Sequence, residues 1–97
     1  MDVRLGWSGE VHGVWTKMDV EVNDADFLAL LAEKGVEIPE NRFVPPLMKF
    51  KLMYSIAETF VQLHKMTRYP EVFGRDEDKE ELRELLATQA TLIEGLK

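Results

Sequence analysis

Along this chain the hydrophobic positions first recur every second residue and then every third or fourth. Val3, Leu5 and Trp7 alternate with Arg4 and Gly6, and Val14, Thr16, Met18, Val20 and Val22 alternate with Trp15, Lys17, Asp19 and Glu21. A period of two puts the apolar residues on one face of a half-buried strand, so residues 2–22 read as β-structure. The Ser8-Gly9 pair between the two runs predicts a two-residue hairpin turn. In that register Trp7 faces Glu10, Leu5 faces His12 and Val3 faces Val14. The buried face then collects Val3, Leu5, Trp7, His12, Val14, Met18, Val20 and Val22. Two consequences follow from this register. The second strand outruns the first beyond about Trp15, leaving an open edge for Val36-Glu37-Ile38, for Arg42-Phe43-Val44, or for the same strand of a second copy. Trp15 falls on the polar face, near Arg4, Val11 and Lys17.

From residue 23 onward the period lengthens. Asn23 or Asp24 is placed to cap a short helix over about 25–34, with Asp26 in its first turn and Lys34-Gly35 as its stop. Phe27, Leu28, Leu30 and Leu31 supply its apolar stripe. Residues 35–46 form an extended connector, in which Val36, Ile38, Phe43 and Val44 can pin the chain to a core. Pro45-Pro46 suits the entry to the next helix, where a missing N–H costs nothing. That helix, about 46–69, is the centre of the molecule. Its apolar residues, from Met48 and Phe50 through Phe60, Leu63, His64 and Met66, spread over roughly 220° of the circumference. Lys51, Ser55, Glu58, Gln62, Lys65 and Tyr69 form a narrow polar strip. Residues 70–75 read as a loop carrying Val72 and Phe73. A last helix starts near Asp76, and Leu82, Leu85, Leu86, Gln89, Leu92, Ile93 and Leu96 make a seam that packs across the central helix. The fold class is α+β, one domain over residues 1–97: an N-terminal β-hairpin, then a short, a long central and an antiparallel C-terminal helix.

Composition narrows the function without naming it. The 97 residues include no cysteine, 12 Lys+Arg and 18 Asp+Glu, with 45% hydrophobic residues. Without cysteine there is no disulfide framework, thiolate zinc site or thiol nucleophile. No apolar run reaches the roughly 18 residues of a membrane span, and Met1-Asp2-Val3-Arg4 has no signal-peptide pattern, so a soluble cytoplasmic domain is expected. The net charge of −6 is uneven. Residues 1–45 carry nine acids and four bases, residues 46–70 one acid and four bases, and residues 71–97 eight acids and four bases. Phosphate binding needs a basic face, and only the spaced bases of the middle segment offer one.

Few side chains are placed for chemistry. His64, on the apolar arc, is read first as a core histidine and second as a switch or pocket residue. No serine is placed to pair with it as a nucleophile. The acids at 76–80 lack the glycine and distal glutamate of a calcium loop and fit the start of a helix instead, so no metal or cofactor is expected. What remains is surface. Trp15, flanked by Lys17 and Arg4, and the Val72-Phe73 pair are the candidate partner-binding residues. The reading is a non-enzymatic protein-interaction module, a small acidic regulatory, inhibitory or assembly factor that acts as a homodimer. A nucleic-acid face at Trp15, Lys17 and Arg4 is the first alternative, and a ligand or enzyme pocket at His64 the second.

Overall fold

A β-hairpin and a C-terminal helix flank one long helix, and that helix provides the centre against which the other elements pack. The computed structural model describes residues 2–39 and 43–97. The elements are β1 (Val3–Val11), β2 (Val14–Val22), α1 (Asp24–Glu33), α2 (Pro46–Arg68), the one-turn α3 (Pro70–Phe73) and α4 (Asp76–Glu94). The α+β architecture therefore stands, with an extra helical turn where a plain loop was expected at 70–75. The strand partner proposed at Arg42 falls outside the described residues.

The hairpin turn is not at Ser8-Gly9. It lies at His12-Gly13, with Val11 opposite Val14 and Val3 opposite Val22. Both turn residues have positive φ, 51° and 78°, as a two-residue turn matching the strands' twist requires. Glycine adopts that backbone freely, and histidine is among the side chains that tolerate it. Gly9 serves another purpose. A Cβ there would come within 2.8 Å of the Trp7 indole, so its bare backbone lets the ring lie across it. This register pairs β2 along its whole length, so the unpaired stretch beyond Trp15 does not exist. It also separates Trp15 from Arg4. They share the outer face, but Trp15 pairs with Glu10 and Arg4 with Glu21, six ladder steps apart or about 20 Å. His12 and Val14, expected inside, are exposed beside the turn.

The inner face of the hairpin buries Val3, Val11, Met18 and Val22. Val3 and Val22 join Phe27 and Leu31 of α1, Leu52, Met53, Ile56 and Ala57 of α2, and Ile93 and Leu96 at the C-terminus in one core. Val36 belongs to it, and Ile38 and Val44 lean on it, as the connector reading expects. Phe43 does not and is 78% exposed. Asn23 caps α1: its side chain accepts from the Asp26 N–H at 3.0 Å while the Asp26 carboxylate accepts from the Asn23 N–H at 2.9 Å. Lys49 ties α1 to α2 through Asp24, 2.8 Å away, and sits over the Phe27 ring.

Met53 is fully enclosed in the core that the hairpin, α1, α2 and the C-terminus share. Met53→Ala should cost about 2–5 kcal/mol, the range for emptying a well-packed site, read as a fall in the urea midpoint.

Candidate interaction surface

The long helix does not use its faces as its amphipathic pattern suggests. Ser55 and Gln62, from the expected polar strip, are buried together with Thr59, because this side meets α4. Gln62 Nε2 donates to the Asp78 carbonyl at 3.0 Å, and the Thr59 hydroxyl donates to the Ser55 carbonyl at 2.9 Å. These bonds let polar groups enter a dry contact at little cost. Conversely, Phe50, Phe60, Leu63 and His64, from the expected apolar arc, are exposed. Periodicity determines which residues share a face. It does not determine how far a covering element extends.

The distal half of α2 is the clearest case. Phe60, Leu63, His64, Thr67 and Arg68 line an open depression of about 560 Å³, all on this one helix. Their spacing is that of a stripe which pairs with another helix. His64 is thus a surface residue rather than a core histidine. It sits at the border of an apolar patch that a single helix wall leaves open. The surface as a whole is larger than the chain length calls for. The accessible area is 6506 Å², against about 5,700 Å² for a compact monomer of this mass. The radius of gyration is 15.0 Å, against about 12.5 Å. The molecule is a rod, 52 × 25 × 19 Å.

The sequence-nominated residues separate into two fates. Trp15 is 64% exposed on the outer hairpin face. Arg4 and Lys17 share that face with Glu10, Asp19 and Glu21, and Arg4 lies 3.6 Å from Glu21. Two cations among three carboxylates make a poor phosphate surface. Val72 and Phe73 are half-buried, and Phe73 has a partner inside the chain. Its ring meets the Trp7 ring edge to face at 5.4 Å, and Tyr69 approaches it at 6.5 Å. The Lys65 ammonium lies 5.0 Å from the Trp7 ring centre and 4.8 Å from that of Phe73. Beside them His12 Nε2 lies 2.7 Å from Glu71 Oε1, a bond that holds the Glu71 carboxyl below its usual range. Together these contacts clamp α3 to the hairpin. The sequence did flag Phe73 and Trp7 as apolar, but their meeting depends on the true register.

Along the groove between α2 and α4, partial burial and the nearby Glu81 carboxylate push the Glu58 carboxyl above its ordinary range. Among the described residues no group of histidines or carboxylates could hold a metal ion, and no helix is long and apolar enough to cross a membrane.

Two outcomes follow. Phe73→Ala should lower stability by about 1–3 kcal/mol in urea unfolding, less than a fully enclosed Phe, whereas a freely docking ring would leave stability unchanged. A raised carboxyl favours the folded state while protonated and loses that contribution as pH rises through the folded value. Glu58→Gln should therefore raise the melting temperature at pH 7, with the gain closing as pH falls towards about 4, in paired melts at the two pH values.

Against protein-family models, curated proteins and solved structures, the chain matches none.

Proposed function

We propose that the protein is a non-enzymatic protein-interaction module, a small acidic regulatory, inhibitory or assembly factor that works as a homodimer. The observation that carries this reading is the uncovered stripe on the distal half of α2, where Phe60 and Leu63 stand exposed at helix-pairing spacing. A second copy related by a twofold axis offers the same stripe in return, so one patch satisfies both partners. Antiparallel crossing near Leu63 sets Phe60 of each copy towards Thr67 of the other. The excess of surface over a compact monomer, about 800 Å², is close to one partner's share of a standard interface. The hairpin contributes no unpaired stretch beyond Trp15, since β2 is paired with β1 along its whole length. Trp15, displayed on the opposite side of the ladder from the hairpin's buried residues, is left free for a further protein partner.

The test is the mass in solution. Light scattering after size exclusion should give twice the 11.2 kDa chain mass at micromolar concentration. Leu63→Glu should halve the mass while the far-ultraviolet spectrum stays unchanged, because Leu63 is already 41% exposed in the single chain. A monomer for the unaltered protein would end this reading.

A further inference from the structure

A second surface, on a different side of α2, has a chemical character of its own. A groove of about 220 Å³ runs between β1, α2 and α4, walled by Trp7, Tyr54 and Leu85 and holding the carboxylates of Glu58 and Glu81. It continues past Tyr54 and Glu58 into a further, almost wholly apolar hollow of about 230 Å³ beside Phe50, Thr88 and Leu92. From Lys51 to Lys65 along α2 the trough is about 20 Å long, the length of a helix of four turns.

Two lysines, Lys51 and Lys65, line its ends, but the two carboxylates at its middle form no ion pair with them. Among the described residues no cation lies within ion-pair distance of Glu58 or Glu81. Lys51 and Lys65 stand seven residues to either side of Glu58 on α2, and Lys65 turns its ammonium onto the Trp7 and Phe73 rings. Glu77 and Glu84, one turn before and after Glu81 on α4, extend the acidic side without an ion-pair partner. A polar group in the floor is also unmet. Ser55 is 4% exposed, lines the continuation of the groove, and its hydroxyl has no hydrogen-bond partner. A helical serine normally donates back to the carbonyl four residues earlier, as Thr59 does here.

We propose that this α2/α4 groove receives a helical segment of another protein, one that places a lysine or arginine between Glu58 and Glu81 and apolar side chains against Tyr54, Leu85 and Leu92. Charge complementarity decides the occupant: two neighbouring carboxylates at the middle of the trough, out of ion-pair reach of the lysines at its ends and beside an apolar hollow, favour a basic amphipathic helix over an acidic or purely apolar one. The inference extends the interaction-module reading to a partner class but uses none of the dimer stripe.

The probe is a fluorescein-labelled helical peptide of about 14 leucines and lysines, with a leucine-glutamate peptide of the same pattern as control. Polarisation titrations should detect the first and not the second, with affinity falling as salt rises. In ¹⁵N spectra the shifted amides should cluster at Tyr54, Ser55, Glu58, Glu81, Leu85 and Thr88. Glu58→Gln with Glu81→Gln should weaken binding about fivefold to tenfold, the loss of two partly exposed charge pairs. Glu33→Gln with Glu37→Gln, which removes the same charge from exposed positions elsewhere, should change it less than about twofold. Equal losses in the two double variants, equal binding of the acidic peptide, or shifts away from the groove would each overturn the proposal. Titrating the Leu63→Glu protein as well keeps the outcomes apart: undiminished peptide binding supports the groove whether or not the chain dimerises.

Discussion

Everything in this molecule depends on one helix being wanted on nearly all sides. α2 packs against β1, β2, α3 and α4, whereas apart from the hairpin's own pairing the other elements meet one another little. Leu52, Met53 and Ala57 are sealed completely, and the residues flanking them touch different neighbours on different sides. A chain of this size has too little apolar surface for two layers each with its own interior. Threading all burial through a single rod is one solution. Its cost is shape: the rod outreaches what surrounds it, and part of its circumference stays bare.

Where the rod is fully dressed differs along its length. At its N-terminal half the connector, α1 and the C-terminal turn pack on it, helped by Lys49 bridging to Asp24, although Leu47 and Phe50 stay exposed. At its C-terminal half only the hairpin tip, α3 and the start of α4 remain, and one side faces solvent. The fixing of that end is correspondingly different in kind. Instead of an aliphatic interior it relies on aromatic edges, an ammonium over two rings and a bond between His12 and Glu71, all partly wet. Such contacts are worth about a kilocalorie per mole each when exposed, so this end is expected to open before the other.

Polar groups define the remaining surfaces. Gln62 and Thr59 enter the α2–α4 contact with their hydrogen bonds met, while Ser55, one turn earlier, does not. The acids of α4 complement its N-terminus at Asp76 and Asp78, but those at Glu81 and beyond lie too far along for that effect. They and Glu58 give one trough a charge, while the patch at Leu63 remains apolar apart from its histidine and arginine border. Two exposed faces of one helix thus differ in the partner each would accept.

How much of this could be read from the residues alone varies by interaction range. Helices α1, α2 and α4, the Asn23 cap, the proline entry to α2 and the burial of Gln89 were all legible, because capping, proline geometry and a three-to-four period are decided within a turn or two of chain. The alternation of residues 3–7 and 14–22 likewise announced two strands. The hairpin register was not decided locally: Ser8-Gly9 and His12-Gly13 both look like turns. The competition is settled by equal strand lengths and by the Trp7 ring needing Gly9 beneath it. Nor could α2 reveal which of its sides α4 would take, since a hydrogen bond to the Asp78 backbone makes Gln62 acceptable inside and one to its own helix does the same for Thr59, and the lack of a neighbour leaves Phe60 and Leu63 outside. Short-range chemistry wrote the elements into the chain. The order in which they cover one another is a property of lengths and contacts between distant segments, and it exists only once the chain has closed on itself.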